Sequence, residues 1–563
     1  QLGGFTDHGI LLEYQLPLSS RRLDAMLTGH GHDGTPAAVI VELKQWTDCE
    51  PSTVEECVVV RYGGRPKAVL HPSAQARQYR DHLADGHTAF HDDAIRLDAC
   101  AFLHDFMHDP GSELLAQRHE HLLGTYPLFP GDRVADLVAF VDERLAGGRG
   151  TEVLRTIRDG VYRPHRKLLE HTADMIAGEP VYTLLDEQLV VMKSIVAKVA
   201  ELADTDTKAV FVVHGGPGTG KSVLALNIVS ELARHGYAVH HATGSSAFTN
   251  TVRKKVGRKA SQLFTFFNSY LNAEEDMLDV LVCDEAHRIR RHSWNRFTKK
   301  KADDPDRLQI DELVSAAKVG VYFIDDLQVV RRQELGSSDA IVEAARRAGA
   351  EIVEHELEIQ FRCGGSDGFV RWLENTLAIR RTANALWQGD PGFDFRIVDT
   401  PQDLDALIRA RLAEGHSARL MAGYCWPWSD PNNDGTLVDD VEVGGWSRPW
   451  NARPDAGRLA PGIPQSHLWA SEPGGEDQVG CIYTAQGFEF DYAGVIFGTD
   501  LVHRPREGWI GRREHSHDRG LKRGTDPDTF TELVKNTYRV LLSRGLKGCY
   551  VHFLDEQTRD FVE

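Results

Sequence analysis

Residues 209–222 read AVFVVHGGPGTGKS, and their types and spacing suit one kind of chemistry. Gly215, four residues, then Gly220, Lys221 and Ser222 give the spacing G-x-x-x-x-G-K-S, with Gly218 inside it. A triphosphate needs several backbone N–H donors at close range, so side chains must be absent, and glycine meets that need. Lys221 would bring a point charge to the β- and γ-phosphates, and Ser222 a hydroxyl to Mg²⁺. The apolar run before the loop reads as a buried parallel strand, and SVLALNIVSELA after it has helical spacing. That helix would turn its positive end to the same phosphates. The stretch implies a bound nucleoside triphosphate, ATP, with Mg²⁺.

A second group of chemical residues lies near the start. In AAVIVELKQW, period two puts Val39, Val41 and Leu43 on one side and Ile40, Glu42 and Lys44 on the other. Asp24 stands on a short strand just upstream, opposite in facing to Leu23, Ala25 and Leu27. Paired as a hairpin, the two strands would bring Asp24, Glu42 and Lys44 to one cleft. Two close carboxylates resist joint ionisation unless a cation lies between them, and hard oxygen ligands suit Mg²⁺, with Mn²⁺ as a substitute. Such an ion activates water and stabilises a pentavalent phosphate, while Lys44 would orient the nucleophile or meet the developing charge. This arrangement resembles the PD-(D/E)XK nuclease superfamily, with Asp24 as its first acid and Glu42-Leu43-Lys44 as its E-x-K. Glu13 matches the acidic residue that often precedes that core and joins the implied metal set. Gln75 and Tyr79, at i and i+4 of a helix in HPSAQARQYRDHL, match the Q-x-x-x-Y of the RecB-like branch, where they position substrate and the lysine. The resemblance spans residue 1 to about residue 130.

Further motifs follow the glycine loop in order. LDVLVCDEAHRI is a buried strand ending in Asp284 and Glu285; Asp284 would hold Mg²⁺ through water and Glu285 would polarise the attacking water. Strand YAVHHATGSS ends at Thr243, a usual place for a loop that contacts nucleic acid. VGVYFIDDLQVV ends in Asp325, Asp326 and Gln328, where a carboxylate or amide can sense the γ-phosphate. In VYTLLDEQ, Asp186 suits a helix cap, and Gln188 stands where helicases place the glutamine that reads adenine. Beyond the first sheet, Arg362 in ELEIQFRC matches helicase motif IV. Thr484, Gln486, Gly487 and Glu489 in IYTAQGFEFDYAGVIFG match motif V, and Arg539 and Arg544 in NTYRVLLSRGLKGCYV match motif VI. Arginines there would neutralise charge in a cleft closing over ATP.

The set resembles superfamily 1 helicases, and more closely the bacterial Schlafen group-3-like helicase family. The marks are CDEAHR, QFRC, the Trp-rich stretch reaching WNARPDAG, VGCIYTAQGFEFDYAGVIFGTDL and YRVLLSRGLKG, over residues 181–563. The resemblances imply an α/β chain: a restriction-endonuclease-like α/β/α nuclease domain, then two RecA-like lobes with doubly wound parallel sheets. The implied divisions are residues 1–133 for the nuclease, 134–180 for a helical connector, 181–350 for lobe 1 and 351–563 for lobe 2. The implied activity is an ATP-driven nuclease-helicase, in bacteria associated with defence against phage. A second class stays open, an ATPase switch or clamp whose nuclease fold only binds nucleic acid.

The elements that must position these residues belong to a chain of 563 residues, enough for several domains. Hydrophobic residues make up 41% and charged residues 26%, ordinary for a folded protein without a membrane span, and no signal-peptide layout opens it. Eight scattered cysteines form no C-x-x-C pair, which argues against a zinc ribbon and for buried free thiols in a reducing cytoplasm. The pairs His30/His32, His119/His121 and His515/His517 read as solvated surface. A net charge of −19 excludes a chain that coats nucleic acid indiscriminately, yet basic runs at 253–259, 288–291 and 299–301 leave room for a basic groove. Nucleic acid is the expected partner, DNA favoured and RNA open, with a protein partner or oligomer also open. Residues 426–475, rich in Pro, Gly, Asn and Trp, are too long for an ordinary loop. Trp426, Trp428, Trp446 and Trp450 would either stack bases or, the favoured reading, plug gaps between the lobes.

Overall fold

The computed structural model describes residues 5–16, 19–91, 95–160, 172, 183–294, 306–361, 363–390 and 392–563. Contacts divide the chain into two units, Gln1–Asp204 and Thr205–Glu563. No helix among the described residues is long and apolar enough to cross a membrane.

The first unit is built on a mixed five-stranded sheet. Strands β1 (Gly9–Gln15), β2 (Arg22–His30) and β3 (Pro36–Lys44) form an antiparallel meander. After a small antiparallel sheet of β4 (Glu50–Pro51), β5 (Cys57–Tyr62) and β6 (Arg65–Leu70), helix Pro72–Gly86 crosses over to β7 (Arg96–Leu103). That strand runs parallel to β3, and β8 (Leu128–Pro130) runs parallel to β7, giving the order β1-β2-β3-β7-β8. Pro72 opens the crossover helix, and His71 caps it by accepting from Ser73 N at 3.2 Å. One sheet face, with Leu27, Val39, Val41 and Cys100, packs on Val141 and Leu145 of helix Val134–Leu145. Helix Gly150–Asp159 lies against β1 and β2. These two helices, expected as a connector, are part of the sheet's own covering, because the alternating apolar residues of β2 and β3 need a partner on that face.

In the second unit, a six-stranded parallel sheet has the order β11-β10-β12-β13-β9-β14. Its members are β9 (Ala209–Gly215), β10 (Val239–Thr243), β11 (Phe264–Phe266), β12 (Leu278–Asp284), β13 (Ala317–Ile324) and β14 (Glu351–Leu357). The expected lobe boundary at 350/351 is corrected by β14, whose residues 351–357 pair in parallel with residues 209–215 of β9. The division at Asp204 likewise assigns helix Glu187–Leu202 to the first unit, not to the motor. A second parallel sheet, of order β15-β23-β20-β16-β19, forms the other lobe. Its strands are β15 (Asp394–Ile397), β16 (Ala418–Ala422), β19 (Val479–Gly480), β20 (Phe490–Phe497) and β23 (Gly545–Phe553). Two antiparallel ribbons, β17 (Val441–Val443) with β18 (Trp446–Arg448) and β21 (Leu501–Arg504) with β22 (Gly508–Gly511), complete the strands.

Several side chains depart from expectation. His30 and His119 are 5% and 1% exposed, not solvated: His30 Nδ1 lies 3.2 Å from Gly148 O, and His119 stacks on His71 with 4.4 Å between ring centroids. The eight cysteines are free thiols, six of them buried. In the basic runs, Arg253 Nε donates to Phe264 O at 2.7 Å and Lys254 pairs with Glu472 at 2.6 Å, while 299–301 lie outside the described residues.

The Trp-rich stretch fills the second lobe's own core rather than gaps between the lobes. Trp446 and Trp450 pack with Ile408, Leu420, Ile496 and Tyr550, and Trp426 and Trp428 rest against that cluster. Trp469 is fully buried against Phe490. Replacing a buried aromatic by alanine leaves a cavity and costs about 3–5 kcal/mol. Trp450→Ala should therefore lower the denaturation midpoint followed by circular dichroism, and the remaining folded protein should bind nucleic acid as before. An unchanged midpoint with weakened binding would instead make Trp450 a base-stacking platform.

Candidate active sites

Two sites emerge, one in each unit. In the second, β9 delivers its last residue, Gly215, to a loop that passes through Gly218 (φ 83°) and Gly220 (φ 75°) into helix Lys221–Arg234. Left-handed backbone costs any residue with a Cβ about 1–2 kcal/mol, hence glycine at both positions. No side chain caps this helix, so its first-turn N–H groups face the place where an anion would sit. Lys221, 7% exposed, donates from Nζ to Gly215 O at 2.6 Å and Gly216 O at 2.8 Å. An ammonium resting on carbonyl dipoles is readily drawn to full negative charge. Residues leaving β14 hold the loop: Gln360 Nε2 donates to Pro217 O at 2.6 Å and Phe361 N to Gly218 O at 2.8 Å. Arg362, the next residue and an expected catalytic arginine, lies outside the described residues.

At the end of β12, Asp284 is 2% exposed and its Oδ1 accepts from Glu285 N at 2.9 Å. A left-handed turn at Glu285 (φ 57°) sets its carboxylate 3.0 Å from His287 Nε2 and 3.7 Å from Arg288 Nε. Burial would raise the Glu285 carboxyl, but His287, Arg288 and Arg544 outweigh it and hold the group well below the usual range. From the other lobe, the Gln486 amide nitrogen lies 3.2 Å from His287 Nε2 and 3.4 Å from Gln328 O. Gln328 Nε2 donates to Asp325 Oδ2 at 2.9 Å, while its Oε1 is buried without a hydrogen-bond partner. Asp325 is also lowered: burial opposes this, and Arg539, then Lys221, prevail. Asp326 is not part of this cluster, because its carboxylate accepts from Ser338 N at 3.0 Å and Ser338 Oγ at 2.8 Å at a helix start.

Arg544 donates from Nε to Val540 O at 3.0 Å and from Nη1 to Phe488 O at 3.2 Å, with its charge within reach of Glu285. Arg539, expected to face ATP, is 1% exposed and held by carboxylates of Asp325 and Glu374. Gly487 takes φ 95° in the turn after Gln486, and Glu489 stands exposed beside β20. The glycine loop, the Lys221 ammonium and the orphaned Gln328 oxygen, an acceptor suited to water, fit a triphosphate, and Ser222 and Asp284 are the residues that would hold Mg²⁺.

In the first unit the β2–β3 register, running to Ala25 opposite Val41, carries Asp24 and Glu42 one step further to facing positions. Asp24 Oδ2 accepts from Leu43 N at 2.7 Å, and Lys44 Nζ lies 2.6 Å from Glu42 Oε1. Burial pushes Glu42 up to about 7; Lys44 opposes it, and Asp24 and Asp186 act with it. Its Oε2 is buried without a hydrogen-bond partner, a vacancy in the bonding that a cation suits. Burial would lower Lys44, but Glu42, Asp24 and Asp186 together hold it above its usual range. Gln75 Nε2 donates to Tyr79 Oη at 2.8 Å, and Tyr79 donates to Asp186 Oδ2 at 3.1 Å, so the predicted helix pair does meet. Glu13 lies across from Asp24, between the paired residues Leu12–Ala25 and Tyr14–Leu23, exposed and with φ 51°. Among the described residues no three His, Cys, Asp or Glu side chains converge as a metal site.

Sequence reasoning missed Asp186 and Arg21 here. Asp186 makes no side-chain cap; it pairs with Arg21 Nε at 2.9 Å, and Arg21 also meets Glu187. Gln188, the expected adenine-reading glutamine, is 3% exposed in this unit, and its Oε1 accepts from Leu185 N at 3.2 Å. In the second unit Glu374 was missed, although it falls four residues after Val370 on a helix's apolar stripe, an odd place for a carboxylate.

Residues 208–555 match the family model described as Schlafen group 3, DNA/RNA helicase domain. An uncharacterized protein of Saccharomyces cerevisiae is 24% identical over 416 residues, 64% of this chain and 84% of that protein. Among solved structures, a DNA replication initiation factor aligns with TM-score 0.20 and 14% identity over 41% of this chain and 62% of its own. AMPPCP-bound DnaA from Aquifex aeolicus aligns with TM-score 0.17 and 17% identity over 34% and 53%. The chain thus spans less than two thirds of either structure, and likeness of that extent does not bear on the arrangement of the sites.

A ligand that binds only the folded state stabilises it by about 2.7 kcal/mol at a hundredfold excess over its Kd. ATP with Mg²⁺ should therefore raise the melting temperature of the wild type, and Lys221→Ala should abolish the rise while melting normally by itself. An equal rise in the variant would remove Lys221 from the phosphate site.

Proposed function

Because the chain belongs to the Schlafen group 3 DNA/RNA helicase family, we propose that its second unit hydrolyses ATP to work on nucleic acid. The observation that carries this is the meeting of groups from both lobes around the glycine loop: Glu285 and His287 with Gln486, and Asp325 with Arg539. Lys221 binds the phosphates and Ser222 and Asp284 hold Mg²⁺, which supplies charge neutralisation when bound. Glu285, kept ionised by the groups around it, orients and polarises the attacking water. Arg544, and by its motif Arg362, meets charge that develops on the transferred phosphoryl group. Gly487 and Glu489 lie at the turn that carries Gln486, so bound nucleic acid can shift the contact with His287. DNA is favoured over RNA, and defence against phage is the proposed setting.

For the first unit, the proposal is Mg²⁺-dependent phosphodiester cleavage. Asp24 and Glu42 would hold the ion, which lowers the pKa of water, with Glu13 nearby; Lys44 steadies the reacting phosphate, and Gln75 and Tyr79 position substrate. The support is the hairpin register that sets Asp24 against Glu42, with Lys44 bonded to Glu42. A second reading has this unit bind nucleic acid without cutting; it is favoured by the absence, among described residues, of three converging ligand side chains.

Glu285→Gln should keep nucleotide affinity and lose about 10²–10³ in ATP turnover, as for loss of a group that acts on the transition state. Glu42→Ala and Asp24→Ala should lose divalent-dependent cleavage of labelled DNA and RNA and leave ATP turnover intact. Cleavage undiminished in Glu42→Ala would move the cutting site elsewhere. No cleavage by the wild type with Mg²⁺ or Mn²⁺ would leave the binding-only reading.

A further inference from the structure

Glu374 has had no part in the chemistry above. It stands on helix Asp367–Thr376 with its side chain 2% exposed, between two guanidinium groups. Its Oε1 accepts from Arg539 Nε at 3.0 Å and Nη2 at 2.6 Å. The other oxygen, Oε2, accepts from Arg380 Nε at 2.9 Å and Nη2 at 2.6 Å, and Arg380 is 59% exposed. The Nε–Nη2 edge of Arg539 is thus turned to Glu374, both nitrogens donating to the single oxygen Oε1 in charge-assisted hydrogen bonds. Only Nη1 is left, and it reaches the other lobe, 3.2 Å from Asp325 Oδ2 and 3.4 Å from Leu327 O.

Such a triad is a costly way to hold two lobes together. Two carboxylates and a guanidinium at 5%, 2% and 1% exposure carry a desolvation penalty that apolar side chains of equal volume would avoid. What a guanidinium anchored along one edge provides instead is direction. Without Glu374, the long side chain of Arg539 would have several rotamers open to it and two edges able to donate. With it, one nitrogen points at Asp325, whose carboxylate stands at the end of β13 close enough to Lys221 to feel its charge. That is the end of the glycine-loop site where charge moves during hydrolysis.

We infer that Glu374 is a positioning residue for ATP hydrolysis: it fixes Arg539 so that the Nη1 edge alone is presented across the lobe interface to the Asp325–Lys221 end of the site. The inference rests on the reading of Lys221 as the phosphate lysine. Arg380, by occupying the second oxygen, keeps Glu374 from turning away.

The test is ATP turnover by the full chain with single-stranded DNA or RNA as activator, for wild type, Lys221→Ala, Glu374→Gln, Arg539→Gln, the double variant Glu374→Gln/Arg539→Gln, and Arg380→Ala. Glu374→Gln keeps shape and size but loses the charge that grips that edge. Its kcat should fall about 10- to 100-fold with KM for ATP and affinity for a non-hydrolysable analogue within about twofold, the pattern of an interaction realised in the transition state. In the double variant the loss should match that of Arg539→Gln alone, because two residues acting through one guanidinium are not additive. Arg380→Ala, at an exposed position that folding tolerates, should lower kcat about threefold in the same direction, and it decides the matter where Glu374→Gln melts below the assay temperature. Wild-type kcat in Glu374→Gln, losses that multiply in the double variant, or a fall in melting temperature with kcat per folded molecule unchanged would each overturn the inference. Undiminished turnover in Lys221→Ala would overturn the underlying phosphate reading instead, and is told apart by that variant alone.

Discussion

A loop made of backbone donors can hold a triphosphate only if something rigid holds the loop. Here that constraint falls on β9, which is buried along residues 209–213 and hydrogen-bonded on both edges, to β13 and to β14. Parallel pairing on both sides leaves the strand no freedom of register, so Gly215 arrives at one place and the turn through Gly218 and Gly220 starts from it. The same pairing delivers Asp325 from β13 and the Gln360–Phe361 segment from β14 to the loop. A ligand site at the carboxyl ends of a parallel sheet follows from this geometry. Losing one edge of β9 would disturb the glycine loop, Asp325 and the Gln360–Phe361 segment together.

Charge then decides how the lobes of the second unit communicate. The interface between them is held by directed polar contacts: Gln486 with His287, Arg539 with Asp325, and Asn536 with Val329 O at 2.9 Å. Such contacts break or reform with small displacements, whereas an apolar seam would slide. Glu285 and Asp325 are each kept ionised at a buried site by cations that come partly from the opposite lobe, Arg544 and Arg539. In the closed arrangement those cations offset the desolvation that burial imposes on each carboxylate, so lobe closure and the ionised state of Glu285 and Asp325 support one another.

The first unit uses the opposite electrostatic plan. Glu42 is surrounded by carboxylates, with Asp24 and Asp186 both acting to raise it and one lysine in contact. A site with excess negative charge and a buried, unpartnered carboxylate oxygen is suited to a cation rather than to an anion. Asp186 ties this cleft to the start of helix Glu187–Leu202, the last helix before the glycine-loop strand in the chain. Its backbone at φ 40° is held there by Arg21 and Tyr79, a local strain concentrated at the cleft.

The sequence by itself determined the parts whose chemistry depends on neighbours in the chain. The glycine loop, the acid pair at Asp284 and Glu285, the strand alternation at Glu42 and Lys44, and the i, i+4 meeting of Gln75 with Tyr79 were legible because strand and helix periods set those contacts locally. The parallel sheets of the second unit were legible too, since buried strands alternating with amphipathic helices leave few topologies open. Tertiary structure alone decided the rest. That β14 belongs to the first sheet depends on pairing across some 140 residues of chain, from Ala209 to Glu351, which no local pattern encodes. That Arg539 is gripped by Glu374, that Asp186 serves a cleft rather than a cap, and that His30 and His119 are buried depend on which distant surface each side chain meets. A charged or polar residue reads the same in sequence whether water or a carboxylate awaits it; only the fold supplies the partner, and the partner decides the role.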